Sequence, residues 1–301
     1  MNNQSADPAA VRNAVLNEFF GLLGIAEDHP LHAASTRLLG PVIGRFAAVM
    51  AEFDANVAQL GLPAAIRGLL SRFVDGVTAI GVDQTPAAGP LLLVSNHPGA
   101  YDVFASLAQL TRSDIRVVIS EISIVRHLPA AYPHFILTGD TDHSRMAAAR
   151  AVVRQLQAGG VVFIFPGRLV DPDPAFMPGA DSGLPRWSPS LELFLRRVPE
   201  TRVVPIVASG VLSPAWLRSP VTWLRQDPVD RQKVAEVCQV AQQLLWPGSL
   251  HFHPLITFGP PLLAADLLRP DAPVRPLQAI VEHQRTLLLL HQYLRTAGLA
   301  P

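Results

Sequence analysis

Two hydrophobic rhythms divide the chain. From about residue 10 to 75, apolar residues recur three and four positions apart, as in VRNAVLNEFFGLLGI, PVIGRFAAVMAEFDANVAQL and AAIRGLLSRFVDGV. That spacing predicts helices with one apolar face, broken at Gly61, Leu62 and Pro63. From about 77, short apolar runs alternate with helical stretches. The runs are LLLV (91–94), VVI (117–119), HFIL (134–137), VVFIF (161–165), VVPIVA (203–208) and LITF (255–258). Between them, SRMAAARAVVRQLQAG reads as a helix stopped by Gly159 and Gly160, and PLQAIVEHQRTLLLLHQYLRTAG as a closing helix. Strands separated by helices predict an α/β fold: a mostly parallel sheet flanked by helices, with an N-terminal helical region. The expected divisions are an N-terminal helical region (1–76), an α/β domain (77–265) and a C-terminal helix (266–301). The stretch 169–190 is rich in proline and turn residues. It is too long for an ordinary connector, so a functional loop or lid is expected there.

Composition narrows the choice of partners. Of 301 residues, 49% are hydrophobic and 16% charged, against roughly 25% charged in an average domain. Such a chain buries a large core or keeps company with something apolar. A formal net charge of zero argues against nucleic acid, because phosphate binding needs a basic excess. Lys233 is the only lysine among the basic residues. Arginine is the better fork for phosphate or carboxylate, although a GC-rich genome gives the same bias. One cysteine, Cys238, excludes a disulfide framework and a cysteine-rich metal site; its helical surroundings make it a core residue. The start, MNNQSADPAAVRN, lacks a basic-then-apolar leader, and no run of 18 apolar residues occurs. The expected location is cytoplasmic, in solution or peripheral on the inner membrane face.

The chemistry gathers at LLLVSNHPGAYDVF, Leu91 to Phe104. In an open α/β sheet, ligands bind beyond the carboxyl ends of the strands. LLLV delivers Asn96 and His97 to such an end, Pro98 and Gly99 force a turn, and YDVFASLAQL starts a helix. With the histidine in the loop and Asp102 in the first helical turn, the two side chains can meet. The aspartate then accepts from one ring nitrogen, and the other nitrogen can take a proton from a hydroxyl. The plainer alternative is an aspartate favoured by the helix dipole beside a histidine that caps the turn.

In this setting the residues resemble the glycerolipid acyltransferase family, the lysophosphatidic acid and glycerol-3-phosphate acyltransferases. The family's first block, Asn-His-x4-Asp, is matched by Asn96, His97 and Asp102. A later block, Phe-Pro-Glu-Gly-x-Arg, is matched by Phe165, Pro166, Gly167 and Arg168, with no glutamate. A last block, an apolar strand with an embedded proline, is matched at VVPIVASG with Pro205. The likeness spans roughly 77 to 260. The family's second block would fall on FILT, with Thr138 where arginine is expected and Arg145 the nearest arginine. Both departures lie in the family's acceptor-phosphate region.

The resemblance implies transfer of a fatty acyl group from an acyl thioester to a hydroxyl, on a lysophospholipid or glycerol-phosphate-like acceptor. His97 would be the general base and Asp102 its orienter. Asn96, Gly99, Phe165, Pro166, Gly167, Arg168 and Arg145 would line the substrates, with Arg168 gripping an anionic acceptor or the donor's phosphates. Backbone N–H groups near Gly99 or Gly167 would face the oxyanion. No metal or cofactor is implied beyond acyl-CoA or acyl-carrier protein as co-substrate. The implied partners are the acyl thioester donor, a lipid-like acceptor and a membrane surface, which PAWLRSPVTWLRQ, with Trp216 and Trp223, would suit. The departures keep two rivals open: an O-acyltransferase with a non-phosphorylated acceptor, and an inactive lipid-binding protein of the same fold. GADSGLP (179–185) resembles the trypsin-type serine block but has an inserted alanine, in a chain that is not all-β.

Overall fold

The computed structural model describes residues 6–23, 30–167 and 169–298. Three helices come first: α1 (Pro8–Leu23), α2 (Pro30–Leu60) and α3 (Leu62–Leu70). Then follow β1 (Thr78–Ile80), β2 (Leu91–Ser95), α4 (Asp102–Leu107), β3 (Ile115–Ser120), β4 (Phe135–Thr138), α5 (Asp142–Gln157), β5 (Val161–Ile164) and α6 (Ser190–Arg197). The rest is β6 (Arg202–Ser209), α7 (Pro214–Leu217), α8 (Pro228–Leu245), β7 (Leu255–Phe258), β8 (Leu262–Leu263), α9 (Ala264–Leu267) and α10 (Pro276–Thr296).

The strands form one sheet in the order β1-β7-β6-β2-β5-β3-β4. From β6 to β4 every pairing is parallel. β7 and β8 pair antiparallel along different parts of β6, and β1 runs parallel to β7. The fold is therefore α/β with a mostly parallel sheet and an N-terminal helical region. Side chains alternate across a strand, and here they feed two cores. Leu91, Leu93 and Phe163 share one with Phe53, Ile66 and Leu107 from α2, α3 and α4. Leu92, Val94 and Ile164 share the other with Val152 of α5, Leu191 of α6 and Ile280 of α10. Covering both faces explains why β2 and β5 are apolar throughout rather than alternating. The N-terminal helices complete the first of these cores. Asp54 of α2 ties them further, accepting from the backbone N–H groups of Ala130 and Ala131 at 2.9 and 2.8 Å.

All six predicted runs fall on strands, the third without His134, which lies in the turn before β4. The fifth ends at Ile164, which leaves Phe165 beyond the sheet. The short strands β1 and β8 carry too few residues to announce themselves by period. α5 is capped as its sequence suggests: the Thr141 hydroxyl accepts from Ser144 N–H, and Gly159 takes a left-handed φ of 77° at the exit. The proline-rich stretch after β5 is an anchored strap rather than a free flap. Leu184 and Trp187 are buried, and Ser188 N–H donates to the Pro166 carbonyl at 3.1 Å. Among the described residues no helix is long and apolar enough to cross a membrane.

Leu93 is fully buried at the centre of the first core. Leu93→Ala is expected to lower stability by about 2–5 kcal/mol, measured by urea denaturation.

Candidate functional site

β2 lies between β5 and β6, and its carboxyl end is where the chain leaves the sheet. Leaving the ladder exposes backbone groups that need new partners. Asn96 supplies them. Its Oδ1 accepts from Ala208 N–H at 2.8 Å and its Nδ2 donates to the Ala208 carbonyl at 2.9 Å. The side chain thus adds one rung to the β2–β6 pairing. It is buried and faces β6, so its part in the site is to hold the loop. Gly99 then lets the chain pass close to Leu212, whose Cδ2 would lie 3.0 Å from any Cβ placed there.

The turn brings the first turn of α4 back under the loop, and the expected pair forms. His97 Nδ1 lies 2.8 Å from Asp102 Oδ2. The carboxylate also accepts from Gly99 N–H at 3.1 Å and Val103 N–H at 2.5 Å. A carboxylate only accepts, so Nδ1 carries the proton and Nε2 presents a lone pair. Asp102 is buried, while the His97 side chain is 31% exposed. Nε2 has no hydrogen-bond partner among the described residues. Phe165 stacks on the imidazole with centroids 4.1 Å apart, and Phe163 meets Phe165 edge-on at 5.0 Å. Burial opposes a charge on His97. The charge and hydrogen bond of Asp102 outweigh it, helped by Glu236 and Asp171, and raise the imidazole pKa above its ordinary value.

The sequence reading missed the residues that hold this loop from behind. In the strap, Asp171 Oδ2 accepts from His97 N–H at 2.9 Å, and Asp171 N–H donates to the His97 carbonyl at 2.7 Å. Gly183 makes room for that carboxylate; a Cβ there would lie 1.9 Å from Oδ1. Asp173, two residues on, accepts from Gly210 and Val211 N–H at 2.9 and 3.0 Å, which fixes the strap to the end of β6. Gln232 of α8 donates to the carbonyls of Pro98 and Asp171 at 2.8 and 2.7 Å. The run Asp-Pro-Asp-Pro was the available signal: acids among prolines in a segment that also carries Leu184 and Trp187 into the core.

The other residues named from the sequence divide. Phe165, Pro166 and Gly167 follow β5, and Phe165 stacks on the His97 ring; Pro166 and Gly167 are buried, the latter against Trp187. Gly99 N–H is committed to Asp102, so it cannot serve an oxyanion; Gly167 N–H has no acceptor among the described residues. Arg168 lies outside the described residues. Thr138 ends the edge strand β4, separated from β2 by β3 and β5. Arg145 is turned to its own helix start, donating to the Asp140 carbonyl and Asp142 Oδ1, each at 2.5 Å, and does not join the His97 cluster. Trp216 is also engaged, its Nε1 donating to Gln242 at 2.7 Å, whereas Trp223 is 64% exposed. A cavity of about 310 Å³ is walled by Phe176, Met177, Pro214 and Leu217, with Gln232, Arg218 and Arg231 also lining it.

No protein-family model and no curated protein matches the chain. Among solved structures it is similar to the 1-acyl-sn-glycerophosphate (LPA) acyltransferase PlsC from Thermotoga maritima, at 12% identity over 94% of this chain and 96% of that one, with a TM-score of 0.46. A likeness of that depth carries no weight for the chemistry, which rests on this chain's own residues.

Asn96→Leu keeps the branched outline of the side chain but strands a buried donor and a buried acceptor on Ala208. A loss of about 2–5 kcal/mol is expected, since each unsatisfied group costs about 1–3 kcal/mol. The denaturation midpoint should fall with unchanged slope.

Proposed function

We propose that the chain is an O-acyltransferase that moves a fatty acyl group from an acyl thioester to a hydroxyl, with His97 as general base and Asp102 as its orienter. The observation that supports this is the fixed tautomer: Nδ1 held by a buried carboxylate and Nε2 open, at the carboxyl end of a central parallel strand. The acceptor O–H gives its proton to Nε2 as its oxygen bonds to the thioester carbonyl carbon. The carbonyl electron pair moves onto oxygen, where Gly167 N–H is the donor. The intermediate collapses, the C–S bond breaks, and the leaving sulfur takes the proton back from Nε2. The enzyme forms no covalent bond. Cys238 has no part in this: it is half-buried on α8, and burial pushes its thiol pKa up.

On the acceptor, the described residues favour the non-phosphorylated class over a lysophospholipid or glycerol phosphate. Among the described residues, the charged groups that act on His97 are Asp102, Asp171 and Glu236, all acids. The cavity that Gln232 lines suits the donor instead: apolar walls for an acyl or pantetheine chain, and two arginines for its phosphates. Neither arginine has an ion-pair partner among the described residues. Next to Arg218, the turn Pro220–Leu224 exposes Trp223 and Leu224, the latter to 82%. An aromatic and a leucine among arginines suit a membrane face, and this turn is the proposed point of contact with it.

His97→Ala should cut transfer about 10²–10⁴-fold with the fold intact, measured as acyl ester formed from acyl-CoA. The active base is neutral, so activity is lost as pH falls through the His97 pKa. That pKa is raised, which moves the acid limb of the rate profile to higher pH than an ordinary histidine would give. Asp102→Asn removes the charge that raises it. The limb should move to lower pH while the maximum rate drops. For the membrane contact, wild type should float with anionic vesicles, and a Trp223→Ala, Leu224→Ala double variant should stay in the soluble fraction.

A further inference from the structure

The inward stripe of α8 is polar, against the usual rule for a helix that covers a core. Gln232, Glu236, Gln239 and Gln243 fall at helical spacing on one side. The three glutamines are buried, and each makes two hydrogen bonds. Gln232 donates to Pro98 and Asp171. Gln239 accepts from Ser213 N–H at 2.8 Å and donates to the Val211 carbonyl at 2.9 Å. Gln243 accepts from the Tyr101 hydroxyl at 2.5 Å and donates to the Phe73 carbonyl at 2.6 Å. Glu236 is the exception. It is half-buried in the same stripe, and its carboxylate has no hydrogen-bond or ion-pair partner among the described residues. It points at the catalytic loop: a Cβ on Gly99 would lie 3.7 Å from its Oε2.

An ionisable group left unpaired beside His97, in a stripe where each of the three glutamines makes two hydrogen bonds, is placed for a ligand. Leaving it so has a cost in stability, and the glutamines show that this helix position can carry an amide. The charged groups around Glu236 are His97 on the loop, Asp102 on α4 and Lys233 on its own helix, the last paired with Asp230 at 3.3 Å. Burial pushes its carboxyl up to about 7, with Asp102 adding to the rise and His97 and Lys233 opposing it. Near neutral pH the group can accept a hydrogen bond from a hydroxyl or an ammonium, and it adds to the field of Asp102 and Asp171 against a phosphate.

We propose that Glu236 binds the acyl acceptor beside His97 and restricts it to molecules that offer a hydroxyl or amine donor and carry no phosphate close to the reacting oxygen. This rests on His97 being the base of an acyl transfer, and it assigns the acceptor side of that site to α8.

The test uses the full chain with oleoyl-CoA and two acceptors that differ by one group, 1-acylglycerol and its 3-phosphate, presented in mixed micelles. Wild type should prefer 1-acylglycerol. Glu236→Gln, which keeps the shape, should raise KM for 1-acylglycerol about tenfold, with kcat within about twofold. It should also narrow the preference against the phosphate by a similar factor. His97→Ala, run in parallel, should lose kcat with both acceptors. An unchanged KM and preference in Glu236→Gln, beside an inactive His97→Ala, overturns the role of Glu236 and leaves the base reading standing. A fully active His97→Ala, or a wild type that acylates neither acceptor, overturns both. Wild-type preference for the phosphate overturns the acceptor assignment by itself, whatever the variant does.

Discussion

A backbone amide taken out of a β-ladder and kept from water must find another partner, and that requirement organises this molecule. The chain leaves β2 at its buried centre, where every neighbouring group is protein. Several groups of the departing loop are therefore met by residues sent from elsewhere in the chain. Asn96 carries the ladder one rung further, Asp171 clasps His97 from both sides, and Gln232 takes the carbonyl of Pro98. The geometry of the His97–Asp102 pair follows from these contacts. Once the loop backbone is held at those points, and Asp102 receives Gly99 and Val103, the imidazole has one place to go.

The same requirement explains the composition of α8. Amides can donate and accept at once, so a glutamine satisfies two strand-end groups where a leucine would satisfy none. The helix gives up some apolar burial in exchange for fixing four loops: those at Pro98, Asp171, Val211 and Phe73. The strap after β5 works with it. Asp171 and Asp173 are both buried, and in each case desolvation raises the carboxyl pKa while the backbone donors resist that rise.

The fold class was legible because period-two burial on both sheet faces leaves unbroken apolar runs, and such runs survive in the sequence at 91–94, 161–165 and 203–208. The His97–Asp102 pair was legible because both partners lie within one turn of chain. Asp171, Asp173, Gln232 and Glu236 were not. The groups that Asp171, Asp173 and Gln232 hold, and the loop that Glu236 faces, lie far away along the chain, and nothing local to Gln232 distinguishes it from a solvent-facing glutamine. Arg145 misled for the opposite reason. It sits near the sequence position where a motif places an arginine, but its short-range partners Asp140 and Asp142 capture it. Local partners can be read from sequence, whereas those supplied by tertiary folding cannot.

The loop's supports also fix when the site can come into being. The contacts that hold it reach across 74 residues to Asp171, 112 to Ala208 and 134 to Gln232. Contacts of such separation carry the largest loop-closure entropy and form late. During synthesis, Asn96, His97 and Asp102 are made early, yet they stay without a frame until β6 pairs and α8 docks. The nascent chain therefore carries the His97 loop without its supports while its apolar strands are still being laid down.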